Sequence, residues 1–203
     1  SSESTRMELM EIAMTSGTTT RIAEFAETFF QGTLKFANNW YHYDDSTGLW
    51  IQDDGIFIKR ALSTEVASFV DKKKMEHINA ITDPKQRMTA AGPYDFLLKK
   101  LLDNAPKDSI VADLKTIVYD AEFPATLDKI TGMLPVANGL IDLKTKTIRP
   151  YTIDDRCTRK EKIHYNPEAG YAKIMQFMIE IQNSEEAAQF LMDVVGYIFT
   201  GEK

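Results

Sequence analysis

The sequence predicts an α+β protein that is mostly helical, with an aromatic β-hairpin near residues 36–52 and a small antiparallel sheet around 133–164. Three observations carry that prediction. Apolar residues recur at helical spacing over 18–31 and through much of 56–118. Two short aromatic runs flank a glycine-containing loop, the pattern of a hairpin. Beyond residue 132, short β-type runs alternate with turn residues.

The start, Ser1-Ser2-Glu3-Ser4-Thr5-Arg6, lacks the apolar run of a signal peptide, and 1–17 reads as a flexible end. Thr18, Thr19 and Thr20 offer an N-cap to a helix over 18–31, whose Ile22, Phe25, Ala26, Phe29 and Phe30 share one face. Gly32 ends it. Trp40-Tyr41-His42-Tyr43, the turn Asp44–Gly48 and Leu49-Trp50-Ile51-Gln52 form the hairpin. A long helix follows over 56–80 on the stripe Leu62, Val66, Phe69, Val70 and Ile78. Pro93, at a first-turn position, opens another through Leu97, Leu98, Leu101 and Leu102, and Pro106 opens a third through Ile110, Val111 and Leu114.

Leu134–Leu143 reads as two strand pieces around an Asn138-Gly139 turn; Thr147–Pro150 returns, and a further strand is expected over 157–164. Asn166 and Pro167 start a helix whose buried face includes Tyr171, Ile174 and Met178. Ser184 caps a last one, lined by Phe190, Leu191 and Val194. The expected organisation is thus a flexible 1–17, a mainly helical 18–131 with the hairpin, and 132–203 as a small sheet followed by two helices.

The net charge of −6 argues against non-specific coating of nucleic acid, but the charge is uneven. All of the excess acid falls within 1–54, and the remainder is balanced. Within it, Lys144, Lys146, Arg149, Arg156, Arg159, Lys160 and Lys162 face only Asp154, Asp155 and Glu161. A second basic cluster comprises Lys59, Arg60 and Lys72-Lys73-Lys74. Such patches suit phosphates, or form a solvated face.

No catalytic centre stands out. His42, His77 and His164 lack neighbours at metal-ligand spacing, and Cys157, the lone cysteine, reads as a structural thiol that fits an intracellular, reducing compartment. The adjacent acids Asp44-Asp45, Asp53-Asp54, Asp154-Asp155 and Glu185-Glu186 are explained by turn and helix-start chemistry. A GxxxxGK[ST] phosphate loop is absent, so the chain is not expected to hydrolyse ATP. Trp40, Tyr41, Tyr43 and Trp50 could stack bases, but packing of a small core is the commoner use of such rings, and the acids beside them oppose nucleic acid.

The final third carries a resemblance. Leu134-Pro135-Val136-Ala137-Asn138-Gly139-Leu140-Ile141-Asp142-Leu143 is similar to the "hydrophobic, N-G, hydrophobic, D-L" hairpin of the poxvirus-type and phage/plasmid primase–helicases. Arg149-Pro150, Asp154-Asp155, Thr158 and Tyr165-Asn166-Pro167 fill the next places of that pattern, and Asp193–Gly201 resembles its "acid, apolar pair, Gly-Tyr, apolar, Thr-Gly" close. The resemblance implies a region between an N-terminal primase and a superfamily-three helicase motor, a hexameric AAA+ ATPase whose phosphate loop would begin shortly after Lys203. Catalysis, ATP and magnesium would then belong to that motor, and no cofactor to this segment.

The function implied is a non-catalytic linker, oligomerisation and DNA-guiding domain acting in DNA replication. Its partners would be DNA held weakly by its backbone, other copies of the parent helicase in a ring, and the adjoining primase and ATPase, inside the host cell and away from membranes. Lys144, Lys146, Arg149, Arg159, Lys160 and Lys162 are the candidate phosphate contacts. The alternative is a stand-alone protein-interaction scaffold or regulator.

Overall fold

A computed structural model describes residues 3–166 and has the predicted α+β class. The chain divides into two compact units, Ser1–Tyr43 with Ile51–Ala125, and Asp44–Trp50 with Thr126–Lys203.

The first unit opens with a helix, not a flexible end. Helix α1 (Glu3–Ser16) buries Met10 and Ala13 completely. The Arg6 guanidinium lies 4.1 Å from the Phe29 ring centroid and donates to the Thr28 carbonyl at 2.8 Å. The apolar positions of α1 are mostly methionine and alanine scattered among charged residues, so its helical stripe is faint. Helix α2 (Thr19–Glu27) is capped by the Thr18 hydroxyl, which accepts from the Arg21 N–H.

Strands β1 (Leu34–Phe36), β2 (Trp40–Asp44) and β3 (Leu49–Asp53) form a sheet in that order, with Leu34 opposite His42 and Phe36 opposite Trp40. Gly55 (φ 99°) follows; a Cβ there would lie 3.1 Å from the Trp40 indole nitrogen. The predicted long helix is present as α3 (Ile56–Ala61), a π-helical segment (Leu62–Val66) and α4 (Ala67–Asn79).

Helix α5 (Pro84–Leu102) corrects the expectation for Pro93, which lies inside it. The start is nine residues earlier, at Pro84 in the first turn, where the Asp83 side chain accepts from the Lys85 N–H at 2.9 Å, positions that suit both residues. Helices α6 (Asn104–Ile117) and α7 (Phe123–Thr126) complete the unit. Its core gathers Ile22, Phe25, Leu62, Leu97, Leu101 and Leu114, and each such side chain contributes about 1.5–3 kcal/mol on burial.

In the second unit β4 (Met133–Val136), β5 (Gly139–Asp142) and β6 (Thr147–Arg149) make an antiparallel sheet in sequence order, with Val136 opposite Gly139 and Leu140 opposite Arg149. The central pair of the first turn is therefore Ala137-Asn138, neither in the left-handed region; Gly139 follows the turn and stands where a Cβ would meet the Arg149 carbonyl at 2.5 Å. Val136, Leu140, Ile141 and Cys157 are buried.

The strand expected over 157–164 does not form. Its backbone bonds go to separate partners: the Cys157 carbonyl accepts from Trp50, the Thr158 N–H donates to Asp128, and the Glu161 N–H donates to Pro135. The segment carries too few apolar side chains to hold one continuous ladder against a core. The two helices expected from 166 onward lie outside the described residues.

Candidate nucleic-acid interface

All six candidate phosphate contacts belong to the second unit. Lys144 and Lys146 sit on the β5–β6 turn, which is shaped by Asp142: its carboxylate accepts from the N–H groups of Lys144 (2.9 Å) and Thr145 (3.1 Å). Those two backbone bonds hold the Asp142 carboxyl below its usual range. Lys146 adopts φ 58° there, and its side chain, like that of Lys144, is exposed.

Arg149 is exposed but not free. Its guanidinium grips Asp155 with two bonds, at 2.8 and 2.6 Å, lowering the Asp155 pKa and raising its own. Asp155 also accepts from the N–H and hydroxyl of Thr152, closing a capping box over a short 3₁₀ turn (Ile153–Asp155). The Thr152-x-x-Asp155 spacing carries that signal in the sequence, and the capping box is a form of the helix-start chemistry expected of the paired acids 154–155.

Arg159 and Lys160 are brought together on one cleft of ≈ 350 Å³, whose apolar wall includes Met133, Leu134 and Pro135 and whose rim carries Asp128 and Glu161. Lys160 is occupied: its Nζ donates to the Thr47 carbonyl at 2.9 Å and lies 5.3 Å from the Tyr151 ring centroid. Asp128 is held by Thr158. Arg159 and Lys162 are exposed. No described carboxylate lies within ion-pair distance of Lys144, Lys146, Arg159 or Lys162.

The Tyr165 hydroxyl donates to the Lys146 carbonyl at 3.2 Å, so the segment bearing Lys162 runs back to the turn bearing Lys144 and Lys146. Four unpaired cations on two adjacent exposed segments can contact phosphate oxygens; nothing in their setting reads a base edge.

The remaining features have internal uses. Three of the five cations in the second basic cluster are closely paired, Lys59 with Asp108 (2.6 Å), Lys73 with Glu3 (2.9 Å) and Lys74 with Asp95 (2.6 Å). Trp40, Tyr41 and Trp50 are buried, and the Trp50 indole N–H donates to the Ile153 carbonyl at 3.0 Å, so these rings are packing groups. Burial pushes the Cys157 thiol up to about 11, which makes it inert. Burial likewise raises Tyr151 to about 12, while its hydroxyl donates to the Val136 carbonyl. His42 stacks on Phe57 at 3.8 Å, its Nδ1 3.1 Å from an Asp53 oxygen but off the line of a hydrogen bond. Among the described residues no group of His, Cys, Asp or Glu is placed to share a metal ion, and no helix is long and apolar enough to cross a membrane.

Fold and site together define a helical α+β domain with an exposed basic segment on a small sheet. The family model described as "D5 N terminal like" matches residues 23–194, and the chain belongs to this family, the N-terminal domain of D5-like primase–helicases. The chain is also 22% identical over 172 residues to the "Putative helicase" of Acanthamoeba polyphaga mimivirus. That match takes in 80% of this chain and 18% of the mimivirus protein, so the chain spans about a fifth of its relative.

Proposed function

We propose that this chain is a non-catalytic linker and DNA-guiding module of a viral helicase–primase acting in DNA replication. The observation that carries the DNA role is the set of four exposed cations, Lys144, Lys146, Arg159 and Lys162, on two segments joined by the Tyr165–Lys146 bond. Arg149 and Lys160, engaged by Asp155 and by Thr47, contribute less to phosphate binding in this reading. Family membership and the chain's small share of its mimivirus relative support a place within a longer protein. There it adjoins a primase and a superfamily-three ATPase that brings ATP and magnesium, and it joins other copies in a hexameric ring.

Binding is weak, salt-sensitive and indifferent to sequence. Measured by fluorescence anisotropy on labelled duplex DNA, the plot of log affinity against log salt flattens in the double variant Arg159→Glu/Lys162→Glu. Two lost phosphate contacts correspond to a slope change of roughly 1.8. An unchanged affinity and slope at low salt would remove the DNA-guiding role.

A further inference from the structure

Two sequence signals meet in space: Asn138, which the proposed function leaves unused, and Tyr165, of which it uses only the hydroxyl. The Asn138 Nδ2 donates to the Tyr165 carbonyl and the Asn138 Oδ1 accepts from the Tyr165 N–H, each at 2.9 Å. A primary carboxamide has the donor and acceptor of one peptide group, and here both are spent on the backbone of a single residue.

The bonds just before this pair explain why a side chain is needed. The Glu161 N–H donates to the Pro135 carbonyl and the Ala137 N–H to the Ile163 carbonyl, both at 2.9 Å. The two bonds advance by two residues on both segments and in the same direction, without forming a regular ladder. The next backbone group in that series is at residue 139, but by then the chain has turned through Ala137-Asn138 and Gly139 pairs with β4 instead. The Asn138 carboxamide occupies the vacated rung.

We propose that Asn138 is the terminal latch of a strap, residues 161–166, and fixes the point at which the chain leaves the small sheet. The strap is otherwise lightly held. Lys162, Ile163 and His164 are exposed, Ile163 to 68% of its surface, so hydrogen bonds rather than apolar burial keep it in place. A segment held in this way opens locally at low cost. The Tyr165 hydroxyl bond to the Lys146 carbonyl (3.2 Å) adds a second tie at the same end. The latch fixes the end of the strap and is distinct from the phosphate contacts: its loss leaves the charges of Lys144, Lys146, Arg159 and Lys162 intact.

The substitution Asn138→Asp tests this directly. Asp is accepted at a turn position of this kind without backbone strain, because residue 138 is not left-handed. It keeps an acceptor for the Tyr165 N–H but sets a carboxylate oxygen against the Tyr165 carbonyl. NMR-detected hydrogen exchange on the whole chain reads the result amide by amide. The expected outcome is joint acceleration at Glu161, Ala137 and Tyr165 by roughly tenfold, the scale of one or two lost hydrogen bonds, with the β5 amides unchanged. Acceleration at Tyr165 alone would overturn the latch, since the strap would then not depend on it. Should the β5 amides also loosen, Asn138→Ala decides, because it removes both bonds to Tyr165 without adding a charge to the turn: acceleration at Glu161 and Ala137 supports the strap, and wild-type exchange there overturns it. The latch is read by amide exchange and the phosphate contacts by salt-dependent DNA affinity, so a failed latch and a failed DNA role give separate signatures.

Discussion

Arg149 shows how a candidate binding group can also serve the fold. Its bidentate grip on Asp155 is the best-formed ion pair of the second unit, and the carboxylate end is nearly buried while the guanidinium is half exposed. Arg149 is the leading cause of the lowered Asp155 pKa, ahead of the Thr152 bonds, and desolvation opposes both. A carboxyl whose folded pKa is depressed stabilises the fold above its unfolded pKa, near 3.9, and that contribution disappears as pH falls through the lower folded value. Replacing Arg149 with Ala therefore moves the acid-unfolding midpoint to higher pH. It also costs about 1 kcal/mol or less at neutral pH, because solvent screens the exposed partner. Circular dichroism through an acid titration measures both; an unmoved midpoint would mean that Asp155 is held by Thr152 alone. The same reasoning ranks Arg149 below Arg159 for DNA, a ranking that no count of basic residues along 144–162 could supply.

At the scale of elements, the start of α5 offers the sharpest test, because the chain contains two competing signals for it. Pro93 has the profile of a first-turn proline, yet the helix begins at Pro84 with Asp83 as its cap. Removing that cap in Asp83→Ala costs about 1 kcal/mol, seen as a lower thermal midpoint; a helix beginning at Pro93 would make the change silent. Elements with a dense apolar stripe or matched turn chemistry were legible in the sequence. The aromatic hairpin and the β4–β6 sheet come through at nearly their true positions, and the helix expected over 18–31 is present as α2 but ends at Glu27, with Phe29 and Phe30 in the turns that follow. Three others were hidden for separate reasons. Helix α1 holds Met10 and Ala13 in the core, but its weakly apolar residues leave little periodic contrast. The π-helical Leu62–Val66 shifts the helical phase by less than the pattern can reveal. Residues 157–164 are half charged, and their partners, Trp50, Asp128 and Pro135, are set by tertiary structure. The candidate site was legible as a basic stretch; which of its cations are engaged depended on Asp155 and Thr47, one of them 113 residues from its partner.

For the molecule as a whole, the net charge of −6 opposes the association with DNA proposed for the basic segment, and the two effects separate by their range. The excess acid lies in the first 54 residues, where Glu8 and Glu11 are exposed. Exposed charges that touch nothing act on DNA only through the screened field, which reaches about 30 Å at 0.01 M salt but about 8 Å at 0.15 M. Phosphate contacts act instead by releasing counterions, and their number fixes how steeply affinity falls with salt. Changing Glu8 and Glu11 to Gln removes two negative charges and no contact. Affinity should then rise by roughly two- to threefold at low salt and converge on the wild-type value at physiological salt, so the salt dependence steepens slightly. The Arg159→Glu/Lys162→Glu variant must do the opposite and flatten it. Anisotropy titrations of both variants across the same salt series test the pair. If the two shifted the slope in the same direction, the acids of α1 would themselves be near the DNA, and the division of labour between a repelling helical unit and a binding sheet would have to be abandoned.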